Sequence, residues 1–297
     1  MSTAAPEAIR VETDDGDLGT IRWRGTPGAP VVFALPGMVD NAWVWSAVAQ
    51  QLDGAASLVA VDLRGRGSSS DSLGPFGIRR HADDVRAVIH RFNAAPAVVV
   101  GHSLGGTVAL QAAAAHPDDV SGVVLVESGP PPRIDPGVDP ATRMQEILAP
   151  IADLARRVWP DRVSYEAAID EIGLLRDLHN PEVERYLLSD LVEHAGGFRS
   201  RVNMAAVEHD LLELLSDEEL RTLLDRRATP TILVQGEYGL NNAPPPVFDD
   251  SYRDRYHWHE WRTAEGCNFL SVLVGMDGAG VVARAILDEV GSVTRRS

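Results

Sequence analysis

The chain predicts an α/β protein, a mostly parallel sheet covered by helices on both faces. Three observations carry this. Apolar runs of strand length alternate with amphipathic stretches of helix length through the first 126 residues. One β-branched run, Val98-Val99-Val100, breaks at Gly101, presents Ser103 and enters the alanine-rich stretch 107–115, which reads as strand, sharp turn and helix. A single excursion of about a hundred residues without strand texture then interrupts the alternation, far beyond the usual connection of ~4–6 residues.

In order, residues 9–13 and 18–24 alternate apolar with polar around Asp14-Asp15-Gly16-Asp17, a hairpin at a sheet edge. The continuous apolar run 31–35 is a buried strand ending at Pro36-Gly37-Met38, and a helix is predicted over 43–52. The strand 58–61 runs into Asp62-Leu63-Arg64-Gly65-Arg66-Gly67-Ser68-Ser69, where the two arginines are expected to hold the loop together. A helix over 78–92 precedes the Val98 strand, and 122–126 is the next strand. Prolines 130, 131, 132, 136 and 140 mark a loop, followed by helices at about 141–159, 164–178, 182–193 and 202–224. Strands return at 230–234 and 256–262, and a last helix spans about 279–290. The expected organisation is a core of 1–130 and 229–297 with a helical cap, 131–228, inserted after the sixth strand.

Composition narrows the partners. A net charge of −16 opposes binding to nucleic acid or an anionic membrane, because phosphates would be repelled and no basic cluster offsets the balance. Every basic side chain is arginine, which suggests a GC-rich coding bias of the bacterial kind. The single Cys267 excludes an internal disulfide and fits a reducing compartment. The first ten residues lack the basic start and apolar run of a signal peptide, and no apolar stretch reaches the ~18 residues of a membrane span, so a cytoplasmic protein is expected. No metal-ligand spacing, G-x-G-x-x-G or P-loop occurs, so no cofactor is expected, and oligomeric state stays open.

The chemistry concentrates at Ser103. Small neighbours at Gly101 and Gly105 let the chain bend and a substrate approach, and the Leu104 N–H falls at a helix start, where free donors favour a developing oxyanion. Gly101-His102-Ser103-Leu104-Gly105-Gly106 resembles the nucleophile elbow of the α/β-hydrolase superfamily. Pro36-Gly37-Met38 stands where that family has His-Gly-x, and Asp62 to Ser69 resembles its D-x-R-G-x-G-x-S loop. The resemblance covers almost the whole chain, weakest in the insertion, and implies an eight-stranded α/β-hydrolase fold with the Met38 N–H as second oxyanion donor.

Two positions depart from the family. Where it reads G-x-x-D after the seventh strand the chain has Gly236-Glu237-Tyr238-Gly239, so Gly239 offers no acid, and where it has a histidine after the eighth strand stands Asn268. A serine hydroxyl needs an adjacent base, and asparagine has none to offer. Glu127, closing the sixth strand, is a candidate relocated carboxylate or simply the start of the insertion. His257 and His259 sit too far down their strand, His102 should point away from Ser103, and His179, His194 and His209 in the insertion could reach down over it. Gly37, His102, Trp43 and Tyr238 are expected to border a small-molecule site, Trp43 and Trp45 being equally explained by helix-to-sheet packing.

The implied function is an α/β-hydrolase-family enzyme acting on a small, largely hydrophobic carbonyl compound. Open classes are a non-standard ester or thioester hydrolase, an acyl transferase, or a cyclase, lyase or isomerase that uses the oxyanion hole alone. The alternative is a non-catalytic protein that binds a small molecule or a partner in the same pocket.

Overall fold

The computed structural model describes residues 5–72, 74–129, 137–175, 178, 180–240, 242–256 and 258–296. The proline-rich loop at 130–136, His179 and His257 lie outside them.

The expected edge hairpin is β1 (Glu7–Thr13) with β2 (Gly16–Trp23), and β3 (Val31–Leu35), β4 (Ser57–Val61), β5 (Ala97–His102) and β6 (Val120–Val126) follow as predicted. After the insertion come β9 (Thr231–Gly236) and β10 (Glu260–Ala264). They build one eight-stranded sheet in the order β1-β2-β4-β3-β5-β6-β9-β10, parallel except where β2 meets β1 and β4. Alternation sends Val32 and Ala34 to one apolar layer and Phe33 and Leu35 to the other. The helices α1 (Ser46–Gln51), α11 (Ser271–Val274) and α12 (Met276–Arg296) cover the first face, while α2 (Ile78–Arg91) and α3 (Leu104–Ala115) cover the second.

Between β6 and β9 the structure places α4 (Pro140–Arg156), α5 (Arg162–Ile172), α6 (Pro181–Ser189), α7 (Met204–Ser216), α8 (Glu218–Arg221) and α9 (Leu223–Arg226). Contrary to the wholly helical insertion expected, β7 (Leu191–His194), which takes the end of the helix predicted over 182–193, and β8 (Gly197–Ser200) form a hairpin about Gly196. The glycine pair takes left-handed backbone that a continuing helix excludes. The predicted helix 202–224 is cut where Asp217 caps α8 and again before Leu223. α5 and α6 extend the first apolar layer and α4 and α7 the second, so the segment continues both layers rather than resting on one.

Two further boundaries differ. The helix expected at 43–52 begins as a 3₁₀ turn, Ala42–Trp45, because the Asn41 side chain accepts from the Trp43 N–H and tightens the first turn. The strand expected at 256–262 starts only at Glu260, because pairing with β9 begins there, opposite Ile232; the helix α10, Asp250–Arg255, precedes it. His259 therefore lies before the strand, at the end of the sheet remote from Ser103.

Chain direction across the sheet reverses between β3 and β5: β3 leads outward to β4, and β5 leads the other way to β6. Open α/β sheets bind ligands at the carboxyl ends of strands beside such a reversal. The loop after β3 carries Met38 and the loop after β5 carries Ser103, so both arrive at this crevice.

Candidate active site

Ser103 adopts φ 50° and ψ −118°, a conformation that costs an ordinary residue on the order of 1–3 kcal/mol. The surroundings impose it. Its N–H donates to the Val126 carbonyl at 3.0 Å, and its own carbonyl accepts from the Gly106 N–H at 3.0 Å and the Ser128 hydroxyl at 2.7 Å. The turn also needs its glycines: a Cβ on Gly101 would stand 2.5 Å from the Gly106 nitrogen. Ser103 stays partly exposed, and among the described residues no side chain hydrogen-bonds its hydroxyl.

Leu104 is the first residue of α3, so its N–H has no intrahelical partner. The Met38 N–H likewise meets no acceptor among the described residues, while the Met38 carbonyl accepts from Arg66 Nε at 2.8 Å. Both N–H groups are therefore unspent among the described residues, one on the loop after β3 and one at the start of α3. Gly37, just before, is buried, and its carbonyl accepts from Asp40 N–H at 3.4 Å.

Glu127 follows Val126 directly, with φ 47°. It is buried, its Oε1 accepts from the Gly236 N–H at the end of β9, and its Oε2 is buried with no hydrogen-bond partner among the described residues. Burial pushes the carboxyl up to about 7, against the pull of the Gly236 N–H and of His102.

The expected roles of Asn268, His102 and Trp43 need correction. Every hydrogen-bonding position of the Asn268 amide is spent: Oδ1 accepts from Leu270 N–H at 3.0 Å and Ser271 N–H at 2.8 Å, and Nδ2 donates to Leu174 carbonyl at 3.0 Å and Asn242 Oδ1 at 2.9 Å. Asn268 is a buried clamp that shapes the turn into α11, with nothing left for a reacting group. We expect Asn268→Ala to cost roughly 2–4 kcal/mol in urea titrations, since it orphans two backbone N–H groups and a carbonyl at once. The Gly239 N–H is tied to the Ala243 carbonyl at 3.1 Å within the adjoining loop.

His102 points away from Ser103, as its strand position implies, but both ring nitrogens face protein rather than a ligand. Nε2 donates to the Phe269 carbonyl at 3.0 Å, and Nδ1 lies 3.4 Å from Asp40 Oδ2, near enough to pair charge but not aligned as a hydrogen bond. Asp40 Oδ1 accepts from Tyr186 of α6 at 2.5 Å. Burial raises the Asp40 carboxyl, yet His102 and the Tyr186 hydroxyl outweigh it and hold it below the usual range. Nothing in the sequence marks this array, because 146 residues separate Tyr186 from Asp40.

Trp43 packs at a right angle to Trp23 at 5.7 Å and beneath the Arg185 guanidinium at 5.1 Å, contacts to protein that the packing alternative accounts for. Trp45 is fully buried, in accord with the packing alternative. Tyr238 is half-buried with its N–H on the Cys267 carbonyl at 2.9 Å. Of the histidines in the insertion, His194 is exposed at the β7–β8 turn, and His209 is exposed against Phe76 at 6.4 Å. Neither touches Ser103. Arg64 and Arg66 do hold their loop, Arg64 through Asp84 at 2.6 Å and Arg66 through Asp210 at 2.6 Å.

No described helix is long and apolar enough to cross a membrane. A sequence model of the alpha/beta hydrolase fold matches residues 30–240. The chain is 31% identical over 215 residues to the pimeloyl-[acyl-carrier protein] methyl ester esterase of Neisseria meningitidis, covering 72% of this chain and 77% of that one. It is 30% identical over 125 residues to an uncharacterized protein of Mycobacterium tuberculosis, covering 42% of this chain and only 36% of that protein. Among solved structures, an E-2-(acetamidomethylene)succinate hydrolase superposes with a TM-score of 0.77 at 22% identity, over 97% of this chain and 100% of that one.

Proposed function

Because the chain belongs to the α/β-hydrolase family, we propose that it is an enzyme of acyl chemistry, a hydrolase or acyl transferase for a small, largely hydrophobic ester or thioester. In this reading Ser103 is the nucleophile, the N–H groups of Leu104 and Met38 receive the oxyanion, and Glu127 replaces the histidine base. The segment 137–228 closes over the crevice as its lid.

The single observation that carries the proposal is Glu127. Its carboxylate has one oxygen fixed and the other unpartnered and buried, beside the residue whose carbonyl holds the Ser103 N–H. A base works best when its pKa lies near the working pH, and burial brings this carboxyl up to about 7. Glu127 takes the Ser103 proton, directly or across one water, as Oγ bonds to the substrate carbonyl carbon. The tetrahedral intermediate then collapses, and the leaving alkoxide or thiolate receives that proton. Water or a second acceptor repeats the sequence on the acyl-enzyme, returning the proton to Glu127 and then to Ser103. Similarity to a pimeloyl-[acyl-carrier protein] methyl ester esterase supports carbonyl chemistry of this general kind.

The second reading is a binding protein without turnover, favoured by the Asn242–Asn268 amide bond in the region where the family resemblance places acid and base. A fluorophosphonate probe separates the two. We expect covalent labelling of the unaltered protein, lost in Ser103→Ala; absence of labelling together with no turnover of p-nitrophenyl acyl esters would leave the binding reading standing.

A further inference from the structure

We infer that Arg66 is a positioning residue for the oxyanion site, aimed from behind by α7. The inference rests on the reading of the Met38 N–H as an oxyanion donor. Arg66 is fully buried in the loop after β4, and its guanidinium reaches in three directions. Nε donates to the Met38 carbonyl at 2.8 Å, Nη1 donates to the Arg64 carbonyl at 2.8 Å, and Nη1 lies 2.6 Å from Oδ2 of Asp210 on α7. Asp210 is itself pinned by the start of α2: the Gly77 N–H donates to Oδ1 at 2.8 Å and His81 Nε2 sits 3.0 Å from Oδ2. Burial would raise this carboxyl, but His81 and Arg66 hold it down at about 2, so it stays an anion.

The direction of control follows from geometry. The Met38 carbonyl and N–H flank one Cα, so gripping the carbonyl restricts the two torsions that aim the N–H. A guanidinium is a rigid planar fork, and one anchored by a buried carboxylate cannot swing. Mere attachment of α7 does not require this arrangement. Arg66 Nη2 is buried without a hydrogen-bond partner among the described residues, a cost that an apolar contact of equal volume would avoid. The residue that bears this cost is the one holding the oxyanion loop.

The test reads the Met38 amide directly. Apart from Met1, the methionines are Met38, Met144, Met204 and Met276, so a [¹⁵N]methionine-labelled chain gives a spectrum simple enough to follow, with Met38→Leu for assignment. Met204 opens α7 and reports whether that helix stays seated. The variant is Arg66→Leu with Asp210→Asn, which removes both buried charges together, adds no labelled residue and keeps an acceptor for the Gly77 N–H. We expect the Met204 signal to stay, the Met38 signal to move, and Ser103 labelling by a fluorophosphonate to slow about 10- to 100-fold, the loss a misplaced oxyanion donor produces.

A Met38 signal that does not move overturns the inference, and so does one that moves while labelling keeps its rate. Should the double variant not fold, Arg66→Lys is read in the same way, because an ammonium cannot span Met38 and Asp210 as the fork does. Should the unaltered chain take no label, the acyl reading fails by itself, and the Met38 signal alone then decides whether Arg66 sets that loop.

Discussion

Replacing Glu127 with glutamine is expected to lower turnover of p-nitrophenyl acyl esters by about three orders of magnitude with little change in KM, the loss typical of removing a general base. Glutamine keeps the acceptor for the Gly236 N–H and the shape of the side chain, but cannot take a proton. The pH profile gives a sharper signature. Activity of the unaltered protein should rise as pH passes about 7, where the buried carboxyl ionises, and level off above it. The residual activity of Glu127→Gln should show no such step. A step that persists in the variant would remove Glu127 from the mechanism.

The same group makes a stability prediction of opposite sense. Its carboxyl ionises at about 7 in the folded chain, against an ordinary value of 4.5. Below 4.5 it is protonated in both states; between 4.5 and about 7 the unfolded chain ionises first, so stability falls as pH rises. Above that window the loss is complete, on the order of 3 kcal/mol for a shift of this size. Asp62, raised by burial to about 6, and Asp190, raised to about 7, act in the same sense, so the slope of the unaltered protein is not diagnostic. The difference between Glu127→Gln and the unaltered chain is diagnostic: glutamine should gain relative stability as pH rises from 4.5 to about 7 and hold that gain above it, in urea titrations. Opposite effects on rate and stability are what a strained, buried functional carboxylate implies.

The core was readable because its rules are local. Continuous apolar runs at 31–35 and 98–100 can only be strands buried on both faces, and the glycines around Ser103 announce a turn that larger residues cannot enter. Boundaries failed where a single side chain competes with periodicity. Asn41 tightens the start of the predicted 43–52 helix, and pairing with β9 begins only at Glu260 although Tyr256 and Trp258 are spaced like residues of a strand. Those rings instead form an edge-to-face ladder, with Tyr256–Trp258 at 5.9 Å and Trp258–Trp261 at 5.4 Å.

The site divides in the same way. The positions of Ser103, Leu104, Met38 and Glu127, though not their roles, are legible because each is set by the end of a strand. Asn268 was placed correctly in the chain, yet its role as a clamp depends on Leu174 and Asn242, which pattern alone cannot bring to it. Trp43 was drawn toward the crevice by sequence proximity to Met38, whereas the 3₁₀ turn swings its ring to Trp23 and Arg185. Tyr186–Asp40 and Asp210–Arg66 were invisible for a general reason: they join the insertion to the core across more than a hundred residues, and no period or spacing encodes such contacts.

Substituting Gly105 by alanine is expected to be severely destabilising although it adds a single methyl group to a helix. By propensity the change should help, since Gly105 lies in the first turn of α3 and alanine favours a helix by about 1 kcal/mol. Packing decides otherwise. The added Cβ would stand 2.5 Å from the Pro36 carbonyl oxygen and 2.7 Å from the Leu35 carbonyl carbon, both backbone atoms that cannot rotate aside. Either α3 must slide along the sheet or β3 must retreat from β5, and we expect a loss exceeding ~4 kcal/mol, a fall of roughly 10 °C or more in Tm. Gly280→Ala in α12 is the matched control: its Cβ would meet Arg284 and Gln51 side chains at 3.4 and 3.5 Å, ordinary contact, so Tm should hold or rise slightly. Two helix glycines with opposite responses separate contact from propensity. If Gly105→Ala folds at all, α3 will have moved relative to the loop after β3. Leu104 and Met38 would then no longer present their N–H groups to one point, and fluorophosphonate labelling of Ser103 should fall by about 100-fold or more even in the folded fraction. A variant that melts like the unaltered protein and labels at the same rate would show that the approach of α3 to β3 is not what holds the Ser103 turn in register with the oxyanion donors.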